Sequence, residues 1–396
     1  MSVQRVNVVD DLEVIVATDS VVDMDRLVAL RHDLHRHPEL GFEETRTAAR
    51  VADRLGELGW KVTTGLAGTG VVGTLSNGDG PTIGVRADMD ALPMTEASGR
   101  AWSSQTDGLF HGCGHDGHTT ILLALAEHLA ASRAFSGTIV LIFQPAEEGL
   151  GGGRVMVEEG LFDRFECEAV YGFHNMPLLP LGRAVVKAGP SMASQDTFKV
   201  TFEGKGSHAA MPHLARDAVL ATAEAACALQ GLIARETDPH VGAVLSVTEL
   251  HAGTTHNVIP ADGWLGGTVR TLDTAAREAL EAGIGRVCSG VASARNAEAK
   301  IDYRRGFPVL VNDAHCAGIM RQAVVEALGG DALDDDFKPL LAAEDFAYML
   351  EARPGAYVLL GQRDEDHTAM VHNPGYDFND RLIPIAVRVL AALARQ

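Results

Sequence analysis

Positive charge is scarce in this 396-residue chain: 33 Lys and Arg stand against 53 Asp and Glu, a formal net charge of −20 at pH 7. A field of that sign repels polyanions, which excludes nucleic acid and anionic membrane surfaces as natural partners. It leaves a small anionic ligand open, because salt confines the field to about 8 Å under physiological conditions. Cysteine is sparse too. The five, at positions 113, 167, 227, 288 and 316, are odd in number and scattered, so they suggest no disulfide framework and fit a reducing cytoplasm. No stretch approaches the ~18 consecutive apolar residues of a membrane span. Residues 1–25 carry Asp10, Asp11, Glu13, Asp19, Asp23 and Asp25 without a basic start and apolar run, so they do not read as a signal peptide.

What the chain does have is length and apolar content. It exceeds the roughly 250–300 residues at which single cores stop growing, so two domains are expected, and 46% hydrophobic residues can fill both. Helical periodicity marks 27–34, 43–58 and 119–131, and extended runs mark 70–75, 82–86, 138–143 and 169–173. Such alternation predicts an α/β fold with a mostly parallel or mixed sheet covered on both faces. After Gly189-Pro190 the pattern changes to strands at 197–202, 243–250 and 264–271 and helices at 215–233 and 274–292, a small α+β unit. Helix, strand and helix resume at 313–328, 356–360 and 380–393. The expected organisation is therefore a large α/β domain, 1–187 and 307–396, interrupted by an inserted domain, 188–306.

The segment His111-Gly112-Cys113-Gly114-His115-Asp116-Gly117-His118 offers little to a core and much to a metal. Cys113 and His115 would diverge on a helix but can converge on a glycine-bearing loop. Zinc takes about four ligands, so the rest must come from elsewhere in the chain. In open α/β sheets ligands gather at the carboxyl ends of strands. That rule points to Glu147-Glu148 after 138–143, His174 after 169–173, His372 beyond 356–360, and Asp88 and Asp90 after 82–86. Singly, each has a plain alternative: solvated glutamates, a hydrogen-bonded histidine, capping aspartates, a buried thiol. Their joint occurrence at successive strand ends carries the argument.

These segments, with Leu34–Leu40, Glu43-Glu44, Gly204–His213, His256–Pro260 and His372–Asn379, resemble the zinc-peptidase-like amidohydrolase family of hippurate hydrolases, N-acyl-amino-acid amidohydrolases and auxin-conjugate hydrolases. The resemblance spans nearly the whole chain in order. It implies two divalent metals held by Cys113, His115, Glu148, His174 and His372, with zinc favoured by the donor set and manganese, cobalt or nickel permitted. Asp90 and Asp116 are then expected to orient ligands rather than bind metal. Glu147, facing away from Glu148 on an extended segment, becomes the general base for a metal-activated water. His208 would stabilise the oxyanion, often across a dimer, while Asn257 and Arg270 would hold the substrate carboxylate. The implied substrate is a small N-acyl-L-amino acid, the implied assembly a homodimer or higher homo-oligomer through the inserted domain.

Three rivals stand beside this reading. A dipeptidase or carboxypeptidase of the same fold would share the metals, and a metal-binding or ligand-binding protein without catalysis would not need Glu147. A thiol-redox enzyme would need a resolving cysteine closer to Cys113 than Cys167. The thiol at Cys113 also implies sensitivity to oxidation whenever the site is empty.

Overall fold

The computed structural model describes residues 23–396; the acidic stretch containing Asp10, Asp11, Glu13 and Asp19 lies outside the described residues. The chain divides into two compact units. Unit 1 comprises the chain up to Gly189 with Asn312–Phe337 and Met349–Gln396, and unit 2 comprises Pro190–Val311 with Lys338–Tyr348. The sequence expectation left 338–348 with the larger domain. That segment instead pairs within unit 2, where Leu340 N–H donates to Ser191 O (2.9 Å) and Leu340 O accepts from Ala193 N (3.0 Å).

Unit 1 opens with α1 (Met24–Arg36), α2 (Thr45–Glu57), β1 (Lys61–Leu66), β2 (Gly70–Asn77), β3 (Thr82–Asp88), α3 (His115–Ser132), β4 (Gly137–Gln144), β5 (Ala169–Pro180) and β6 (Ala184–Val185). Unit 2 follows with β7 (Ser194–Glu203), α4 (Ala218–Gly231), β8 (Ala243–Ala252), β9 (Asp262–Thr271), α5 (Thr274–Ala294) and β10 (Glu298–Arg305). The chain returns to unit 1 with α6 (Ala314–Leu328), β11 (Gly355–Arg363) and α7 (Leu382–Leu393).

The unit 1 sheet has seven strands in the order β1-β2-β4-β3-β5-β11-β6. Its centre is parallel, with β3 between β4 and β5 and β11 beside β5, while β1 and β2 are antiparallel additions, so the sheet is mixed. Strands such as β4 (Ile139–Phe143) are nearly continuous apolar runs because both faces are covered. Helix α3 is buried around most of its circumference, which is why Thr119 to Leu129 lacks a polar face. Four strands make the antiparallel sheet of unit 2, in the order β8-β9-β7-β10. Alternation along β7 sends Phe198, Val200 and Phe202 into a core shared with Ala221, Ala225 and Leu229 of α4 and Leu280 and Ile284 of α5.

Helix α4, continued through Leu232–Glu236, is 19 residues long with mean hydropathy 1.3, long and apolar enough by length and composition to cross a membrane. Ala221, Ala225 and Leu229 on its inner face serve the unit 2 core, while Val219 and Leu220 stand exposed.

Candidate metal centre

Sequence periodicity places the start of α3 at Thr119, whereas the helix begins at His115, with Gly114 in the left-handed region (φ 92°) as its N-cap. The octapeptide is thus half turn and half helix. A side chain on Gly114 would meet Tyr376 Oη at 2.5 Å and Asn175 Oδ1 at 2.7 Å, so both conformation and close approach demand glycine there. This sharp entry lets Cys113, outside the helix, and His115, inside it, face the same point.

Their donor atoms converge with those of His174: one ligand atom from each lies within 4.8 Å of the other two, and Cys113 Sγ is 3.4 Å from His174 Nε2. A second triad, Cys113, Glu148 and His372, satisfies the same limit, with His372 Nε2 3.2 Å from Glu148 Oε1. The two groups share Cys113. All five residues expected as ligands are therefore together, drawn from the α3 entry, the loop after β4, β5 and the segment after β11. His174 lies within β5 rather than at its end, and His372 has a positive φ of 62° fixed by its backbone N–H donating to Gly112 O (2.7 Å).

Glu147 and Glu148 are not on an extended segment. Ala146 adopts φ 56°, and the chain turns so that the carboxylates of both glutamates and His115 offer atoms within 4.8 Å of one another. The two-residue alternation that would separate them does not apply. The turn is held by Glu44, buried beneath it, whose Oε1 accepts from Ala146 N (2.8 Å) and whose Oε2 accepts from Thr69 Oγ1 (2.5 Å). Burial, partly offset by these bonds, raises the Glu44 pKa.

Asp90 stands where orientation of a ligand requires it. Its Oδ1 is 3.1 Å from His115 Nδ1 and its Oδ2 accepts from Glu148 N (2.9 Å), leaving His115 Nε2 to face the cluster. His174 is fixed likewise, Nδ1 donating to Asn175 O at 2.7 Å. Asp116 differs from expectation. It touches no candidate ligand side chain; its Oδ2 is 2.8 Å from His35 Nδ1 and 3.7 Å from Arg31. Burial works against its charge, but His35, His111 and Arg31 outweigh that and hold its carboxyl well below the usual range.

Sequence reasoning missed a brace behind the cluster. His118 lies between Asp88 Oδ1 and Asn175 Oδ1, both 2.6 Å away, and its ring centroid is 4.5 Å from that of His174. Asn175 Nδ2 donates on to Tyr376 Oη (2.8 Å), and Arg86 binds Asp88 (2.7 Å) and Gln144 (2.8 Å). The signal was present as His118 and Asn175, each next to or near a ligand in sequence.

The donor set suits divalent metal. His115 Nε2 and Glu148 Oε1 are buried yet form no hydrogen bond of acceptable geometry, as expected of atoms reserved for a cation. Burial opposes a proton on His115, but Asp88, Asp90 and Glu148 overcome it and raise the pKa to about 10, the mark of a potential that favours positive charge. Burial, reinforced by Glu148, Glu147 and Asp88, raises Cys113 well above its ordinary value, and burial with His118 pushes His174 well below its own.

Residues 84–396 match peptidase family M20/M25/M40. The chain belongs to this family. It is 39% identical over 366 residues to hippurate hydrolase of Campylobacter jejuni, covering 92% of this chain and 94% of that one. It is 37% identical over 360 residues to N-acetyl-L-cysteine deacetylase of Bacillus subtilis, covering 90% and 85%. Among solved structures it is similar to the YXEP protein of Bacillus subtilis, a dinuclear metal binding peptidase of the M20 family, with TM-score 0.82, 34% identity and coverage of 94% and 97%.

The remaining candidates lie in unit 2. His208 and Asn257 are brought together, because His208 pairs with Val258 and Ala209 N donates to Asn257 O (3.0 Å). Arg270 is not with them. It pairs with Gln195 at one end of the β7–β9 ladder, while Asp262 pairs with Glu203 at the other, from which the chain runs on to His208. Eight residues of strand separate those ends, about 27 Å. Arg270 is half-buried, its pKa lowered by burial against the opposing pull of Asp196.

Proposed function

We propose that this chain is a metal-dependent amidohydrolase that cleaves N-acyl-L-amino acids to a carboxylic acid and a free amino acid. The observation carrying this reading is the pair of triads sharing Cys113, with the Glu147 carboxylate beside Glu148 and His115. Relatives named for hippurate hydrolysis and N-acetylcysteine deacetylation support it over a peptidase or a non-catalytic protein. Cys113, His115, Glu148, His174 and His372 would hold two divalent ions, zinc by preference for thiolate and imidazole. Bound there, metal would lower the pKa of water toward 7 and polarise the amide carbonyl. Glu147 would serve as the general base, accepting a proton from the attacking water and passing it to the leaving nitrogen. Arg270 offers a guanidinium fork to the substrate carboxylate.

His208 and Asn257 are assigned to a partner's site. Within unit 2 they follow the Glu203–Asp262 end of the β7–β9 ladder, whereas Arg270 stands at the other end. The partner is a second copy of this chain. Strand β8 is one edge of the unit 2 sheet, and exposed Leu250, Val219 and Leu220 on β8 and α4 supply apolar surface for it. The five unpaired cysteines support a cytoplasmic location. A hydrolysis screen of N-acetyl, N-benzoyl and N-indoleacetyl amino acids, on protein of known metal content with and without chelator, tests the reading. Chelator-sensitive release of amino acid is expected; no cleavage with both metals bound would overturn it.

A further inference from the structure

His372 is the exception among the five candidate ligands. The other four stand in or within a few residues of α3, β4 and β5, whereas His372 lies between β11 and α7, in a stretch without helix or strand, and its side chain is 53% exposed. A ligand must be held to within about 0.5 Å of its working position. Whatever fixes this stretch therefore decides whether His372 reaches Cys113 and Glu148.

A loop on the other side of the metal segment does so. Residues 92–110 form no helix or longer strand, and their ends are joined, Leu92 N donating to Phe110 O (2.9 Å) and Phe110 N to Leu92 O (3.0 Å), immediately before the octapeptide that carries Cys113. From this loop Ala97 N donates to Pro374 O (2.7 Å), two residues beyond His372. Trp102 Nε1 donates to Asp377 Oδ1 (3.1 Å), and Arg100 Nε stands 2.9 Å from Asp377 Oδ2. Asp377 is buried, and Arg31 of α1 also donates to its Oδ1 (3.3 Å). The indole is itself fixed: it stacks on His32 of α1, ring centroids 3.9 Å apart and planes at 12°, and His32 Nε2 lies 3.0 Å from Asp380 Oδ2.

We propose that Trp102 and Asp377 are positioning residues for His372. Through them the 92–110 loop clamps the His372 segment, so the clamp governs the ion held by Cys113, Glu148 and His372 and not the one held by Cys113, His115 and His174. The inference rests on the metal-centre reading and extends it to residues that belong to neither triad. A merely structural contact would act on both ions alike, through the stability of the whole unit. Nor does removing Asp377 strand a buried charge, because Arg31 keeps both oxygens of Asp380 (2.7 and 3.0 Å).

The test is a stepwise zinc titration of the metal-free full chain against a chromophoric chelator, which reads two dissociation constants without reference to activity. The step abolished by His372→Ala identifies the ion concerned. In Asp377→Ala that step is expected to weaken about tenfold while the other stays within about twofold. Trp102→Phe keeps a ring on His32, changes no charge and removes one hydrogen bond, so about threefold weakening of the same step is expected. Val324→Ala, a cavity variant in the α6 packing, should lower the melting temperature and leave both steps unchanged. Equal weakening of both steps in Asp377→Ala, or an unmoved His372 step in Trp102→Phe, overturns the clamp and leaves the metal centre standing. Uptake of fewer than two ions by the wild type overturns the two-metal reading, and the clamp with it.

Discussion

The carboxylate of Asp90 lies 3.1 Å from Nδ1 of His115, on the side of the imidazole away from the metal cluster. Its other oxygen accepts from the backbone of Glu148 (2.9 Å), so one buried side chain sets the direction of two ligands. Removing it frees the His115 ring and leaves the Glu148 N–H unsatisfied. Asp90→Ala is therefore expected to weaken metal binding about 10–100-fold, measured by competition with a chromophoric chelator. An unchanged affinity would show that packing alone orients His115.

Glu147 makes a different prediction from its neighbour. Both carboxylates approach His115, but Glu148 also meets His372 at 3.2 Å, as a ligand shared with the Cys113 triad would. Glu147→Gln should keep both metals by elemental analysis and lower kcat by about 10²–10⁴-fold, the usual contribution of a general base. Loss of metal in this variant would instead make Glu147 a ligand.

The environment of Cys113 reverses an expectation drawn from sequence. A thiol in a metal loop suggested easy oxidation when empty, yet Cys113 is buried and flanked by Glu148, Glu147 and Asp88, all of which favour the protonated form. The empty site should resist alkylation at neutral pH, because the reactive species is the thiolate. Metal must displace that proton, so apparent affinity should rise with pH across the neutral range. Iodoacetamide labelling and metal titration at several pH values check both; rapid labelling of the metal-free protein at pH 7 would contradict the assignment.

Glu148 and His174 were legible because they sit on or just beyond a parallel strand, where the sheet delivers side chains to one edge, and Cys113 and His115 because their glycine-rich octapeptide offers little to a core. What sequence could not show depends on single backbone torsions. Ala146 at φ 56° turns Glu147 and Glu148 toward one point, and Gly114 at φ 92° starts α3 at His115. Nothing in an Ala or in a Gly-rich run fixes those angles; Glu44, 102 residues from Ala146, does so for the first. The brace of His118 and Asn175 escaped notice for a related reason, since a histidine's partners are tertiary. Asp116 was misread by proximity: beside His115 in sequence, it points from α3 toward α1.

That contact with α1 makes stability depend on pH. His35 is buried, and although burial alone would depress it, Asp116 and Glu96 raise its pKa to about 9. A histidine whose folded pKa lies above its unfolded value of about 6.5 stabilises the fold fully below pH 6.5 and loses that contribution as pH rises through 9. The effect is on the order of 3 kcal/mol at most, counted once for the His35–Asp116 pair. Thermal melts at saturating metal should show wild type losing stability between pH 6.5 and 9 relative to His35→Gln, which cannot titrate. Parallel curves for the two proteins across that window would mean that His35 is neutral in the folded state, and that Arg31, 3.7 Å away, alone compensates the buried Asp116 charge.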